Sequence, residues 1–444
     1  MTSVQDFDLL GLDPVTMQDP YRLYELLLEE APVYHEPRHG VFIVSRYDDI
    51  LEIKRQPHRF SNRQPTGPVT MPQPQDVPAD LRDRLAAVMS AAAAAGKDIT
   101  AAARGPGAVA TLLAADPPDH SRYRGMTNKL LNMRRAKQWE PRIRAIADEL
   151  IDRVIDKGEL EWVMDFAHPL PLRTVAEILG VPQGDDKLLA EMFGGPNAGE
   201  AIGNPPVMVR RMLEAAELAA VRAPRETFLG FFADRIGELR KAPVEGDFLS
   251  DLIEMPDANG VRLNDEEILS IIGHFQVAGH ETSTKMMTQA MYQLVANPDA
   301  MAAVRGDPSL CENLMEEALR FEAPVQGLFQ IAKGDIEIGG VNIPAGAMLM
   351  TLYAAGNRDP RHFDDPERFD LHRTNARTHL SFGQGIHFCV GSPFARAEGR
   401  LGFQAFLERT RDIRFAEGNS FERTVSYVLR GIREMHLRFE PASS

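Results

Sequence analysis

This chain of 444 residues contains little cysteine, no long apolar run and no excess of basic residues. Its two cysteines, Cys311 and Cys389, are too few for a disulfide framework and favour a reducing compartment. No run of about 18 apolar residues occurs, so we expect no membrane-spanning helix. Because the first residues also lack the basic and apolar segments of a secretion signal, we expect a cytoplasmic protein.

The charge balance argues against a polyanion-binding protein. Lysine and arginine number 49 and aspartate and glutamate 64, which gives a net charge of −15. So acidic a chain argues against general nucleic-acid binding and against an anionic membrane surface. Hydrophobic residues make up 44% of the chain and charged residues 25%, a mixture that supports a large buried core rather than a disordered chain.

Hydrophobic periodicity predicts a mainly α-helical fold with one or two small β-sheets. The strongest helical signal, over residues 265–296, follows the capping residue Asn264 and ends at Asn297-Pro298. At 1.5 Å per residue this segment would form one rod about 48 Å long. We expect so long a helix to cross a domain with its midpoint buried.

No clear boundary divides the chain, and we predict a single domain over residues 1–444. Its composition changes over residues 64–110, where several prolines precede an alanine-rich piece and a Gly105-Pro106-Gly107 break. This segment is either a mobile surface insertion or an ordered lid over a pocket.

Several familiar catalytic motifs are incomplete. His280-Glu281 lacks the second histidine of a zinc-binding HExxH motif. The segment 383–388 lacks the last glycine of a dinucleotide-binding loop and follows no clear strand. Neither a GxxxxGK phosphate loop nor a GxSxG nucleophile elbow is present.

The segment 382–391 (FGQGIHFCVG), called the cysteine loop below, places Cys389 among glycines. Glycines let backbone N–H groups approach a sulfur closely. A helix that begins near Pro393 would favour a thiolate through its positive end, whereas a buried inert cysteine is the alternative. The segment resembles the FxxGxHxCxG loop of the cytochrome P-450 superfamily, in which the cysteine is the axial ligand of haem iron. The resemblance implies the fold of that superfamily, with a long central helix over the haem, and makes Cys389 the metal ligand.

Two further segments resemble the buried Glu-Arg-Arg network of that superfamily. Glu317 and Arg320 match its ExxR motif and would share one helical face, although an ordinary surface pair is the alternative. Arg368, in the segment 366–369 (PERF), would be the third member. The resemblance implies that these three residues hold the cysteine loop in place and do no chemistry.

The segment 278–282 (AGHET) lies midway along the predicted long helix and resembles the (A/G)Gx(D/E)T motif of the superfamily. Gly279 weakens a helix interior by about 1 kcal/mol relative to alanine, so we expect a local opening there. Thr282 offers a hydroxyl and Glu281 a carboxylate, the groups needed to relay protons during oxygen activation. Helix irregularity or close packing is the alternative interpretation.

The segment 116–124 (DPPDHSRYR) resembles the one whose histidine and arginine pair with haem propionates, a role that falls to His120 and Arg124. His387 resembles a third such partner. Many relatives place an arginine against a propionate where this chain has Gln330, so either fewer charges hold that propionate or another cation substitutes. The predicted haem contacts are His120, Arg124, Ala278, Gly279, Phe382, His387, Cys389 and Gly391.

Together these resemblances predict a haem b monooxygenase of the soluble bacterial type, which inserts one atom of dioxygen into an apolar small molecule. Electrons would come from a ferredoxin-type donor with its reductase, and basic residues on the cysteine side would receive that donor. Such residues include Arg134, Arg135 and Arg396, and for each of them an ordinary solvated basic face is the alternative. The predicted pocket residues are His274, for which a satisfied core histidine is the alternative, Val277, Ala278, Val325 and Leu328. A peroxide-driven peroxygenase and a non-catalytic haem-binding sensor are the competing functions, and the retained Glu281 and Thr282 argue against both.

Overall fold

The computed structural model describes most of the chain in four long ranges. The described residues are 3–67, 82–84, 87, 90, 109–183, 186–201, 204, 207, 210 and 228–442. Most of the predicted insertion or lid at 64–110 lies outside these residues, and the single-domain prediction stays a prediction.

Far more of the described residues lie in helices than in strands, which confirms the mainly α-helical class. The helices are α1 (Pro14–Gln18), α2 (Tyr21–Glu30), α3 (Tyr47–Lys54), α4 (Asp119–Leu130), α5 (Met133–Asp152), α6 (Pro169–Ile178), α7 (Asp186–Phe193), α8 (Phe228–Lys241), α9 (Phe248–Glu254), α10 (Asp265–Ala278), α11 (Glu281–Ala296), α12 (Pro298–Gly306), α13 (Cys311–Phe321), α14 (Tyr353–Gly356) and α15 (Ser392–Arg409). Within the described ranges, no helix is both long enough and apolar enough to span a bilayer.

The strands are short and form small sheets, as expected. They are β1 (Val33–Glu36), β2 (Val41–Val44), β3 (Phe60–Ser61), β4 (Glu159–Glu161), β5 (Leu328–Ala332), β6 (Ile336–Ile338), β7 (Val341–Ile343), β8 (Met348–Thr351), β9 (Thr410–Phe415) and β10 (His436–Pro441). The largest sheet has the order β1-β2-β8-β5-β3, in which β2 and β8 are parallel and the other pairs antiparallel. Strands β4, β10 and β9 form a second sheet, and β6 with β7 a hairpin. Because β5 pairs with β8 in the middle of the large sheet, that sheet fixes the residues that lead into β5.

The predicted long helix is interrupted, so the expectation of a single rod over 265–296 is wrong. It starts as predicted, because the Asn264 side chain accepts a hydrogen bond from the Glu267 backbone and the Glu267 carboxylate accepts one from the Asn264 backbone, each at 2.9 Å. It then breaks between α10 and α11 at His280, whose φ of −125° and ψ of −47° are not helical. A Cβ on Gly279 would lie 2.5 Å from the Phe275 carbonyl oxygen and 3.0 Å from a methyl group of Val175 on α6, so only glycine fits there without rearrangement.

A large apolar core anchors the helix that follows the cysteine loop. Helices α5, α11, α13 and α15 share it, and the indole of Trp162 packs against the rings of Phe403 and Phe406 with centroids 5.6 and 5.0 Å apart. A second core joins α4, α8, α9 and α10. Because the core holds α15 along its length, the cysteine loop, which leads into the first turn of α15, ends at a fixed position.

Candidate active site

A cavity of about 280 Å³ brings most of the predicted site residues together. Its walls come from α3, α4, α6, α10, α11, the segment leading into β5, and the cysteine loop. The predicted residues that line it are His120, Arg124, His274, Ala278, Gly279, Thr282, Val325, Leu328, Phe382, His387, Cys389 and Gly391. These positions are spread over some 270 residues of sequence, so the cavity exists only in the folded chain.

The cysteine loop presents the Cys389 sulfur to this cavity. Gly383 and Gly385 have φ values of +67° and +70°, a conformation in which most other residues are strained, and the Cys389 backbone N–H donates to the Phe382 carbonyl at 2.8 Å. Burial raises the pKa of the Cys389 thiol, while backbone hydrogen bonds from Gly391 and Ser392 and the charge of Arg124 oppose the rise. The N–H groups that stabilise a thiolate are therefore in place, and a bound metal ion would complete its deprotonation.

The break between α10 and α11 faces the cavity. The Thr282 hydroxyl donates to the Ala278 carbonyl at 3.0 Å, so this hydrogen bond spans the break between the two helices. Thr282, Ala278 and Gly279 all line the cavity. A threonine hydroxyl thus borders the space that the cysteine sulfur also borders, an arrangement that suits proton transfer.

Glu281 and Thr282 do not converge on the cavity. The Glu281 carboxylate is buried, is not among the lining residues, and lies 3.1 Å from the ammonium of Lys285. Successive residues of a helix project about 100° apart, so the two neighbours face different surroundings. Glu281 stays a predicted proton-relay residue, placed behind the helix rather than at the cavity wall.

The residues predicted to hold haem propionates lie together at one end of the cavity. The rings of His120 and His387 have centroids 4.1 Å apart, and burial lowers the pKa of His120 to about 4 and that of His387 to about 3. Both imidazoles are therefore neutral hydrogen-bond donors near pH 7. The buried Nδ1 of His120 has no hydrogen-bond partner among the described residues. With the Arg124 guanidinium beside them, this donor set fits a buried carboxylate.

Four of the five predicted pocket residues line the cavity, and Val277 does not. Val277 is 45% exposed and points away from the cavity, which corrects its assignment. Its helical neighbour Ala278, turned by about 100°, faces inward. His274 keeps one ring nitrogen 2.9 Å from the Ser270 carbonyl, and burial lowers its pKa, so it is neutral.

Most of the remaining wall is apolar, and sequence reasoning missed most of it. The missed apolar residues include Leu112, Leu113, Val175, Ile178, Leu179, Phe275, Met286 and Pro324. Among the polar residues of the wall, Lys54, Asn62 and Glu398 were also missed. No local motif marks these positions, and the only hint of Lys54 was the absence of an arginine at Gln330.

The buried Glu-Arg-Arg network exists, but its third member is Arg373 rather than Arg368. Arg320 makes two hydrogen bonds of 2.8 Å to the Glu317 carboxylate, and both side chains are fully buried. Arg373 donates to the same carboxylate at 3.1 Å. Arg368 has a side chain that is 66% exposed, and only its carbonyl oxygen joins the network, at 3.0 Å from each of the other arginines. The PERF segment therefore contributes backbone carbonyls to the network, because the Arg368 side chain turns outward.

Comparisons with known proteins agree with this architecture. The sequence profile described as cytochrome P-450 matches residues 204–308 and 309–412. The chain is 33% identical over 431 residues to 6-deoxyerythronolide B hydroxylase of Saccharopolyspora erythraea, covering 95% of this chain and 96% of that protein. It is 31% identical over 420 residues to the monooxygenase PikC of Streptomyces venezuelae, covering 92% and 88%.

Solved structures give the same result. The substrate-free cytochrome P-450 CYP150A6 of Mycobacterium marinum superposes with a TM-score of 0.80 at 29% identity, over 99% of this chain and 100% of that one. CYP109E1 of Bacillus megaterium, solved in complex with testosterone, superposes with a TM-score of 0.75 at 26% identity, over 95% and 99%.

Proposed function

We propose a reaction for this chain, which belongs to the cytochrome P-450 family. It is a monooxygenase, and its cofactor is haem b. Its reaction is the insertion of one oxygen atom into a C–H bond of an apolar small molecule, with electrons supplied by a separate protein. The observation that carries the proposal is the Cys389 sulfur at a cavity also lined by Thr282 at the break between two helices.

Different residues of the cavity would have different roles. Cys389 would hold the iron through its sulfur, and His120, Arg124 and His387 would bind the propionates. When bound, the haem supplies oxygen activation, which the thiolate ligand promotes. Thr282 holds a hydroxyl beside that space, where it can pass protons inward, and the apolar wall excludes bulk water.

The substrate class follows from the wall opposite the cysteine loop. Leucine, valine, isoleucine and phenylalanine side chains dominate it, and His274 offers a neutral imidazole. We therefore expect a largely apolar substrate with one oxygen function that hydrogen-bonds to His274. A relative named as a 6-deoxyerythronolide B hydroxylase and a structure solved with testosterone are compatible with such a molecule.

An acidic ferredoxin is our proposed electron donor. Of the three basic residues assigned to its docking, Arg135 lies 2.5 Å from Asp251 and Arg396 lies 2.6 Å from Glu316. Within the described part of the chain, Arg134 is exposed and forms no such ion pair. Arg134 is therefore the cation among the three that is open to an acidic partner.

The two cysteines provide a matched test of the haem ligand. Replacing Cys389 by serine should abolish the red-shifted Soret band of the reduced carbon monoxide complex, because serine supplies no thiolate. Replacing Cys311 by serine should leave that band unchanged, since burial raises the pKa of its thiol to about 12 and it does not line the cavity. A band that survives in the Cys389→Ser variant would contradict the proposal.

A turnover experiment separates the competing functions. Substrate-dependent oxygen consumption with ferredoxin, its reductase and NADPH is the expected outcome. Product formed faster with hydrogen peroxide than with that electron-transfer chain would favour a peroxygenase instead. Bound haem with no substrate-dependent oxygen consumption by any ligand that shifts the iron spin state would favour a sensor.

A further inference from the structure

A fourth nitrogen-bearing side chain, Lys54, lines the cavity at the end that holds His120, Arg124 and His387. Lys54 is the last residue of α3, and a Cβ on Gly385 of the cysteine loop would collide with its carbonyl oxygen. The ring of His387, two residues after Gly385, lies against that of His120, with centroids 4.1 Å apart. All four groups therefore act on the same small volume beside the cysteine loop.

The Lys54 ammonium is buried and oriented by a short chain of amides. It donates to the Gln330 side-chain oxygen at 2.8 Å, and the Gln330 side-chain nitrogen donates to the Asn62 side-chain oxygen at 2.7 Å. Lys54 is 6% exposed, and Gln330 and Asn62 are each 3% exposed. The neutral amide of Gln330 can accept the hydrogen bond from Lys54, whereas an arginine at this position would repel the ammonium.

No carboxylate of the described residues compensates the Lys54 charge. Its only side-chain hydrogen bond among them goes to a neutral amide, and burial alone accounts for the lowering of its pKa to about 7. A buried cation without a counter-ion is unstable, and an ammonium has three protons to donate. The ammonium also faces the Tyr353 ring, 5.3 Å from its centroid, and because Lys54 lines the cavity, the space for a compensating anion lies on the cavity side.

The geometry points to Lys54 as the cation that pairs with a haem propionate, in place of the arginine that Gln330 replaces. Haem b brings two propionates, and the cavity offers two cationic side chains, Arg124 and Lys54, with the imidazoles of His120 and His387 beside them. The sequence left two explanations for the missing arginine. The assignment of Lys54 favours a substitute cation over a propionate held by fewer charges.

Haem retention by the holoenzyme tests the assignment. In Lys54→Met, haem transfer to excess apomyoglobin should be about tenfold faster or more, because a charge-assisted hydrogen bond to the propionate is lost. Lys129→Met serves as the matched control, since Lys129 is exposed on the helix that carries His120 and Arg124, and its transfer rate should equal that of the wild type.

Two further measurements separate propionate binding from a merely structural role. The propionate-bending bands in the resonance Raman spectrum should shift in Lys54→Met and stay unchanged in Lys129→Met. Adding Gln330→Arg to Lys54→Met should restore slow haem transfer by returning a cation to the same end of the cavity. Unchanged bands, a wild-type transfer rate in Lys54→Met, or no recovery in the double variant would each overturn the assignment.

This inference rests on the proposed haem site, and the two fail in different ways. A wild-type protein without the thiolate Soret signature would contradict the site itself. A wild-type protein with that signature, but with a Lys54→Met variant equal to the control in haem transfer and Raman bands, would contradict only the role of Lys54.

Discussion

Arg368 and Arg373 are five residues apart in sequence but lie in opposite surroundings. Arg373 is buried against the Glu317 carboxylate, whereas the Arg368 side chain is largely exposed. A buried carboxylate that loses one of its cations keeps its desolvation penalty, while an exposed ion pair contributes little. The stability of the loop support therefore depends on Arg373.

We expect Arg373→Met to lower the free energy of unfolding by about 3–5 kcal/mol, the usual effect of breaking a buried ion pair. The matched variant Arg368→Met should change it by no more than about 0.5 kcal/mol. Urea titrations of both variants, followed by circular dichroism, give the comparison. Equal losses in the two variants would show that the Arg368 side chain belongs to the network after all.

Thr282 and Thr284 allow a second comparison of neighbouring side chains. Both hydroxyls bond to the carbonyl four residues earlier, at 3.0 and 2.9 Å, but only Thr282 lines the cavity. Thr282→Ala should raise the hydrogen peroxide released per NADPH oxidised severalfold, because the proton-donating hydroxyl is lost. Thr284→Ala should keep the wild-type ratio, and the same rise in both variants would remove Thr282 from the proton relay.

Among the secondary-structure elements, the interruption between α10 and α11 forms one wall of the cavity. At this interruption Gly279 packs closely against Val175 of α6, so the lack of space as well as backbone conformation favours glycine there. A side chain at position 279 would push the two helices apart.

Gly279→Ala should therefore lower the free energy of unfolding by about 1–3 kcal/mol, the usual cost of overpacking. Gly237→Ala is the matched change, because Gly237 lies in helix α8 with no atom within 4 Å of a built Cβ. That variant should be more stable than the wild type by about 0.5–1 kcal/mol. Thermal denaturation of both variants measures the difference, and stabilisation of both would refute the close-packing explanation.

At the scale of the whole molecule, Glu322 joins the N-terminal and C-terminal parts of the chain. The Tyr21 hydroxyl donates to its carboxylate at 2.8 Å, and Arg423 and Arg430 lie within 3.4 and 3.7 Å. Burial tends to raise the pKa of Glu322, but the charges of Arg430 and Arg423 outweigh it and hold the pKa at about 2.

This network predicts acid sensitivity. A carboxyl whose pKa falls from 4.5 in the unfolded chain to about 2 in the fold stabilises the fold fully above pH 4.5 and loses that effect as pH falls toward 2. Glu322→Gln should be less stable than the wild type at pH 7 and should lose less stability between pH 5 and 3. Urea unfolding at each pH measures this, with the exposed Glu312→Gln as control; parallel pH profiles for Glu322→Gln and the wild type would contradict it.

Local motifs in the sequence were sufficient for the family, the cofactor and much of the site. The glycines around Cys389, the Asn264–Glu267 cap and the Glu317–Arg320 pair involve residues only a few positions apart. Their geometry is set by the backbone of one turn or one loop, so the pattern alone determines it.

Tertiary structure decided which side chains face the cavity and which charges meet. The inward turn of Ala278 and the outward turn of Val277 depend on how α10 packs. Lys54 and Gln330 meet across 276 residues of sequence, a pairing that no local period encodes. Sequence spacing reports which residues share an element, whereas the packing of elements against one another determines which distant residues share a site.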